Sequence, residues 1–332
     1  MIRLVERAIE GVLTRWRRST HGARAVVLVY HRIAEPDSDP LGLCVSPAYF
    51  AEHLQVVRKF GVALRLESLP AALEDNRSFR EGVCVTFDDG YADTLHTATP
   101  LLQRYDIPAT VFVVSGQHAR KREFWWDEIG RLLFGVERLP TTALPTALFI
   151  PRRTAEESRA DRRAMFKLIH DRLYNMPADD REAALERLRA WVSALSVVRP
   201  THATLCPADL RCLADSGLVE IGAHTVTHPS LDRLNNDSQR AEMLGSKHFL
   251  QDAVGRPVTS FAYPHGRYTQ ETVRLAREVG FDRACTVAPG IVSDATNPWQ
   301  LPRILVSNID GDALTRWLRH LFRQRAVRVP HV

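Results

Sequence analysis

The sequence predicts an α/β protein built on a distorted (β/α) barrel of about seven parallel strands, with a helical insertion from about residue 124 to residue 203. Three observations predict it. Short β-branched runs alternate with amphipathic helical patterns, the arrangement that joins parallel strands through crossover helices. The runs recur often enough to close, or nearly close, a ring. A single stretch of charged helical sequence interrupts that rhythm. With 332 residues, of which 45% are hydrophobic and 25% charged, the chain is long enough to bury a sizeable core.

In chain order, the expected strands are Ala25–Tyr30, Val83–Phe87, Ala109–Val114, Val219–Ala223, Ser260–Tyr263, Arg283–Val287 and Ile304–Val306. Between them, apolar residues at helical spacing predict helices over Pro47–Phe60, Thr94–Tyr105, Pro207–Ser216, Ser238–Val254 and Thr269–Val279. The insertion carries charged helical stretches at Ala155–Tyr174 and Asp179–Leu195 and a weak apolar run near Leu148. This divides the chain into a basic amphipathic helix over 1–24, the barrel over 25–310, and a basic helix or tail over 311–332 ending in Arg323, Arg325 and Arg328. No internal repeat is visible.

Composition excludes several classes. The net charge of +5 is almost entirely arginine spread along the chain, with no basic stripe interleaved with aromatics, so a nucleic-acid partner is not expected. Cys44, Cys84, Cys206, Cys212 and Cys285 are odd in number and without framework spacing, which reads as reduced thiols. The first twenty residues contain no apolar run of signal-peptide length. There Leu4, Val5, Ile9, Val12, Leu13 and Trp16 are interleaved with charges, a pattern that fits a helix packed on the domain or a peripheral contact with an anionic membrane. The expected location is the cytoplasm, peripheral to the inner membrane if that contact forms.

Four motifs stand at strand ends. In VCVTFDDGYADT (83–94) an apolar strand runs into Asp88 and Asp89. Adjacent carboxylates repel and resist desolvation, so a cation explains them better than burial alone. Because neighbours diverge in direction, one can bind a metal while the other faces its water; a plain Asp-Asp-Gly turn is the alternative. In VEIGAHTVTHPS (219–230), His224 and His228 are four apart, so one turn brings both imidazoles to one side. An Asp with two His makes a three-ligand set that leaves a position open. LVYHRI (28–33) ends a strand in His31, and SFAYPHG (260–266) ends one in a Tyr263-Pro264 turn followed by His265. All four lie at the strands' carboxyl ends, which form one surface in a barrel.

TFDDG followed by HTVTH resembles the polysaccharide deacetylase family with its NodB-homology domain, over roughly residues 25–310. The resemblance implies a divalent metal, most often Zn2+ with Co2+ as another candidate, and hydrolysis of acetyl groups on an N-acetylated carbohydrate. Carried over, Asp88 is the base and Asp89, His224 and His228 are the metal ligands. The backbone N–H near Tyr91 helps bind the oxyanion, and Tyr263, Pro264 and Trp299 line the substrate site. Two family features are missing. SFAYPHG lacks the arginine that braces the base, which leaves Arg267 as the nearest candidate in sequence, and LPRILVS (301–307) lacks the late histidine that acts as general acid. The layout is most similar to the branch that deacetylates poly-N-acetylglucosamine exopolysaccharides, which uses a histidine in a YH dipeptide on the first strand; His31 is then the acid. Trp125 and Trp126 are candidates for stacking on a sugar ring or for helix packing.

The expected activity is therefore metal-dependent removal of N-acetyl groups from a polysaccharide, oligosaccharide or lipid-linked sugar precursor. Two alternatives stay open: a degenerate protein that only binds carbohydrate, and an amidohydrolase of a small non-sugar amide.

Overall fold

The computed structural model describes residues 22–74, 81–117, 122–140, 158–193 and 198–323. The expected amphipathic helix over 1–24, the apolar run near Leu148 and the tail beyond Arg323 fall outside these residues, apart from 22–24 at the helix's end. The chain forms two compact units. One comprises the described residues within Met1–Glu35, Cys44–Gly116 and Leu205–Val332, and the other those within Pro36–Leu43 and Gln117–Thr204.

The first unit contains every strand among the described residues: β1 (Arg24–Tyr30), β2 (Arg32–Ile33), β3 (Cys44–Val45), β4 (Val62–Ala63), β5 (Glu81–Phe87), β6 (Ala109–Val113), β7 (Val219–Ala223), β8 (Ser260–Ala262), β9 (Arg283–Cys285) and β10 (Ile304–Leu305). They make a parallel sheet in the order β10-β1-β5-β6-β7-β8-β9, with β4 added beside β5 and a separate β2–β3 pair. Leu301 bridges the two ends of that order. Its N–H donates to the Ala284 carbonyl (2.9 Å) and its carbonyl accepts from Thr286 N–H (2.9 Å), three residues before the chain joins β1 as β10. The ring of a distorted barrel is thus carried across by residues 301–305. The two-residue strands β2, β3 and β4 are too short to leave a periodic signal.

Period-two alternation sorts the side chains into two layers. Val26, Leu28 and Tyr30 on β1, Val83, Val85 and Phe87 on β5, and Val111 and Val113 on β6 face outward and pack on helices through Phe50, Leu54, Leu102, Leu213, Met243 and Leu275. Ala25, Val27, Cys84, Phe112, Ala262 and Cys285 point inward and form a second, smaller cluster with Leu66, Leu69 and Leu73. Gly222 belongs to this interior, where an added Cβ would lie 2.5 Å from the Phe112 ring, so only glycine leaves room for it.

The helices are fixed by ordinary end chemistry. Ser46 caps the Pro47–Phe60 helix by accepting from Tyr49 N–H, and Phe50, His53, Leu54 and Val57 form its buried stripe. Asn235 caps Asn236–Val254 in the same way, and Gly255 ends it at φ +66°. The expected helix over Thr94–Tyr105 differs at its start, where a π-helical turn spans Thr94–Ala98 before α-helix resumes at Thr99.

The second unit is helical: Trp125–Phe134, Arg159–Tyr174 and Ala178–Val192 enclose a core that includes Ile129, Leu132, Phe166, Ile169, Leu185 and Leu188. Charged groups are paired within it. Arg199 grips the buried Glu123 through Nε (2.9 Å) and a second nitrogen (3.0 Å), and Arg131 and Arg189 both reach Glu128.

His53 ties helix to strand. Its Nε2–H donates to the Ile309 carbonyl (2.7 Å), which leaves Nδ1 to accept from the Tyr30 hydroxyl (3.3 Å). Burial pushes the imidazole below its ordinary value of 6.5, although the Ile309 hydrogen bond, Glu52 and Asp310 favour the charged form. An unfolded chain takes up a proton below that value which the folded chain refuses, so stability falls as pH falls through it. Unfolding midpoints measured between pH 7.5 and 5 should therefore decline with acidity, and decline less steeply in His53→Gln, which keeps a donor but does not titrate.

Candidate active site

Asp88 is set by register. Tyr30 on β1 pairs with Phe87 on β5, so His31 and Asp88 are the next residues on neighbouring strands, and Asp88 N–H donates to the Tyr30 carbonyl (2.9 Å). Both outward partners being aromatic, the two residues that follow belong to the inward face. Asp88 is 3% exposed and is held by Arg303, whose two terminal nitrogens each donate to one carboxylate oxygen at 2.7 Å. Arg303 is itself buried. Its Nε donates to the Thr286 carbonyl (2.8 Å), one terminal nitrogen lies 3.3 Å from the Thr86 hydroxyl, and the guanidinium stands 5.4 Å from the Phe112 ring centroid.

Arg303 is thus the brace that the SFAYPHG segment lacks. Arg267, the candidate by sequence proximity, is exposed and is not the residue paired with Asp88. The signal of Arg303 in the sequence is its setting, because an arginine inside a buried apolar run is rare without a charged partner. Burial pushes the Asp88 carboxyl upward, but the Arg303 charge, with smaller help from His224 and His31, overcomes it and holds the group at about 2. Asp88 is therefore ionised at any ordinary pH. Arg303 uses one lone pair on each oxygen, and each oxygen keeps a second.

Asp89, His224 and His228 converge beside it, all buried, with one donor atom from each within 4.8 Å of the others. Asp89 Oδ1 lies 3.7 Å from His224 Nε2 and 3.5 Å from His228 Nε2, and the two nitrogens are 3.2 Å apart. Two imidazoles bound to a tetrahedral zinc at about 2.0–2.1 Å stand roughly 3.3–3.4 Å apart, so the spacing fits one small cation. The tautomer fits as well. His224 Nδ1–H donates to the Ala262 carbonyl (2.8 Å), which leaves Nε2 with its lone pair, and burial favours the neutral ring.

Backbone strain produces this convergence. Asp89 adopts φ +72° and Gly90 φ +80°, which turns the two neighbouring carboxylates in different directions; a side chain at 90 would meet Val113 at 3.0 Å. Thr225 (φ +66°) and His228 (φ +58°) are also left-handed, and the Thr225 hydroxyl accepts from His228 N–H (3.1 Å). Each non-glycine residue there costs about 1–2 kcal/mol, so the loops are held from outside.

The other expected site residues divide. His31 follows β1 at the face carrying Asp88, half-buried and within electrostatic reach of it. His265 (φ +57°) meets the His228 ring edge to face with centroids 4.3 Å apart. Tyr91 is fully buried with its ring 4.7 Å beneath the Arg32 guanidinium, and Arg32 pairs with Asp93 (2.9 Å).

Tyr263, however, points into the outer layer. It stacks on Tyr268 and donates its hydroxyl to the Trp299 carbonyl (2.9 Å), while Pro264 is buried and opens the turn that carries His265. The indole N–H of Trp299 donates to the carbonyl of Phe281, which precedes β9, and Arg277 covers its ring at 4.0 Å. Tyr263 and Trp299 thus make packing contacts, with Tyr268, Phe281 and Arg277 as their partners. Trp126 is buried against Phe124, and Trp125, stacked by His170 and approached by Arg181, packs against the helical core.

Removing one partner of a buried ion pair leaves the other charged and desolvated, at about 3–5 kcal/mol. Arg303→Ala is expected to lose stability on that scale, and Asp88→Asn in the same background to regain part of it. A double-mutant cycle read by denaturant unfolding checks the coupling; strictly additive losses would show that the pair is not acting as a unit.

The family model described as Polysaccharide deacetylase matches residues 76–137 and 169–284. The protein YxkH of Bacillus subtilis (strain 168), named as a polysaccharide deacetylase, is 21% identical over 310 residues, covering 92% of this chain and 80% of its own. The Streptococcus pyogenes deacetylase PplD, solved in complex with acetate, superposes with a TM-score of 0.59 at 21% identity over 89% of this chain and 98% of that one. IcaB from Ammonifex degensii superposes with a TM-score of 0.57 at 19% identity, covering 90% of this chain and 98% of the other. At these identities the two superpositions speak for the fold, and the sequence match speaks for the family: the chain belongs to the polysaccharide deacetylases, hydrolases that deacetylate carbohydrate.

Proposed function

We propose that the protein removes N-acetyl groups from a carbohydrate in a metal-dependent hydrolysis that releases acetate and leaves a free amine, with Zn2+ as the metal that best suits the donor set. One observation carries this reading: a carboxylate kept ionised by Arg303 stands directly beside a buried Asp-His-His group with the spacing of a single cation. A divalent ion held by Asp89, His224 and His228 would polarise the acetamide carbonyl and lower the pKa of water.

The chain's own groups account for the remaining steps. Asp88 accepts a proton from water as the water oxygen bonds to the carbonyl carbon, and Arg303 fixes the direction of the carboxylate without using all its lone pairs. The backbone N–H at Tyr91 is the donor for the oxygen that gains charge. His31, as the protonated imidazole, gives its proton to the nitrogen while the C–N bond breaks. Its half-exposed position beside Asp88 suits an acid that must also reload from solvent. Among relatives, the acetate in the PplD structure is the product that such a hydrolysis releases, and the motif layout resembling the exopolysaccharide branch makes a poly-N-acetylglucosamine type of glycan the proposed substrate. No helix among the described residues is long and apolar enough to cross a membrane.

The test is acetate release from a panel of N-acetylated glycans after reconstitution with zinc or cobalt, alongside metal analysis of the purified protein. Asp88→Asn and His31→Ala are each expected to lower release by about 10²–10⁴. Full activity in both would overturn the roles given to them. Turnover of a formamide or ureide, with none of N-acetylglucosamine oligomers, would point to a small amide as substrate.

A further inference from the structure

The loop joining the two histidines is short and strained, and one carboxylate outside it takes the N–H groups at its middle. Between His224 and His228 the chain must fold back within three residues so that both Nε2 atoms arrive 3.2 Å apart. It does so with Thr225 and His228 in the left-handed region, which neither residue prefers. Three polar groups in the middle of that loop converge on a single carboxylate. Glu242, on the Asn236–Val254 helix, accepts from Val226 N–H (2.8 Å) and Thr227 N–H (2.9 Å) at Oε2, and from the Thr227 hydroxyl (2.6 Å) at Oε1. One turn further along the same helix face, Gly245 lies close enough to Val226 that an added Cβ would stand 3.1 Å from its side chain. The helix therefore meets the loop with a carboxylate and, next to it, a gap for Val226.

On the opposite side, Ser115 N–H donates to the Thr225 carbonyl (3.0 Å) and Gly116 N–H to the Val226 carbonyl (2.9 Å). The strand end after β6 thus takes the loop's carbonyls while Glu242 takes its N–H groups. Only the Glu242 side uses a charge, and charge-assisted hydrogen bonds are the stronger kind.

We infer that Glu242 is a positioning residue for the metal centre, setting the loop conformation that presents His228 to the ion. The inference rests on the metal-binding reading of Asp89, His224 and His228 and deepens it. Glu242 contacts the loop's middle and not the imidazoles, so its influence passes through the backbone into His228.

Two substitutions separate this role from a general contribution to folding. Glu242→Ala removes all three hydrogen bonds. Glu242→Gln can keep them, because the amide oxygen still accepts from both N–H groups and the amide nitrogen donates to the Thr227 hydroxyl, which reverses its role. Metal dissociation constants are to be measured for zinc by chelator competition and for cobalt by its visible spectrum, with the unfolding midpoint of each metal-free protein measured in parallel. Loss of such an outer partner typically weakens metal binding 10–100-fold, and that is the expected rise for Glu242→Ala, with an altered cobalt spectrum and a fall in the metal-free midpoint too small to account for it. Glu242→Gln should stay within a few-fold of wild type. Thr227→Val removes one of the three bonds and should give an intermediate loss, and it stands in if the alanine variant does not fold. Wild-type affinity in both Glu242→Ala and Thr227→Val would overturn the inference, as would a fall in the metal-free midpoint that accounts for the whole loss. A wild-type protein that binds neither metal would instead overturn the metal reading on which the inference rests.

Discussion

The rest of the site depends on one interaction, the buried ion pair between Asp88 and Arg303. A carboxylate at 3% exposure is driven toward its neutral form, and only a charge at hydrogen-bond distance reverses that. Arg303 must in turn be desolvated to reach it, so it needs partners for its remaining N–H groups. It finds the Thr286 carbonyl and the Thr86 hydroxyl, on or beside two strands that are not neighbours in the sheet. Phe112 gives it an aromatic face, and Phe112 in turn occupies the space that Gly222 leaves empty. A glycine on β7, a phenylalanine on β6, an arginine before β10 and an aspartate after β5 therefore form one packed chain of contacts.

Beside that pair, the neighbouring carboxylate has to do something else. Asp88 and Asp89 cannot both point at Arg303, and they do not: two successive left-handed residues turn Asp89 toward the histidines. The glycine of the Asp-Asp-Gly triplet is needed both for its own φ and for the approach of Val113, which makes the turn specific to this fold and not a generic surface turn. The same device recurs after β7, where left-handed Thr225 and His228 bring two imidazoles together.

Features that were legible in the sequence share a local cause. Strand ends were readable because apolar runs stop at charged or imidazole residues, and the convergence of Asp88, Asp89, His224 and His228 followed once those ends were assigned to one face. Arg303 was not readable in the same way, because its partner is distant in sequence and an arginine next to a proline looks like any loop residue. Its real signal was position within the run Leu301 to Val306, where every neighbour but Leu305 is buried. Tyr263 and Trp299 show the opposite case. They sit in segments matching the family's motifs, but alternation along β8 turns Tyr263 outward, and the Phe281 carbonyl captures the Trp299 indole away from the strand ends. Motif position predicts the backbone's place better than the side chain's direction.

The barrel interior holds a further, half-buried carboxylate, whose surroundings contrast with those of Asp88. Glu220, lower on β7, accepts from the hydroxyls of Thr110 and Ser260, and Arg283 stands 3.7 Å away without a bidentate grip. Burial outweighs these partners and raises its pKa, so the group is drawn toward its neutral, sealed form. Between the two layers lie Cys84, Phe112, Ala262 and Cys285, a dry zone in which burial pushes both thiols up, Cys285 to about 12. Above it, Asp88 has a full opposing charge, lone pairs to spare and a histidine within electrostatic reach. Similar side chains in one barrel thus give a structural polar layer at one depth and an ionised, directed carboxylate at the other. What separates them is the geometry of the arginine: end-on in the upper layer, and offset in the lower.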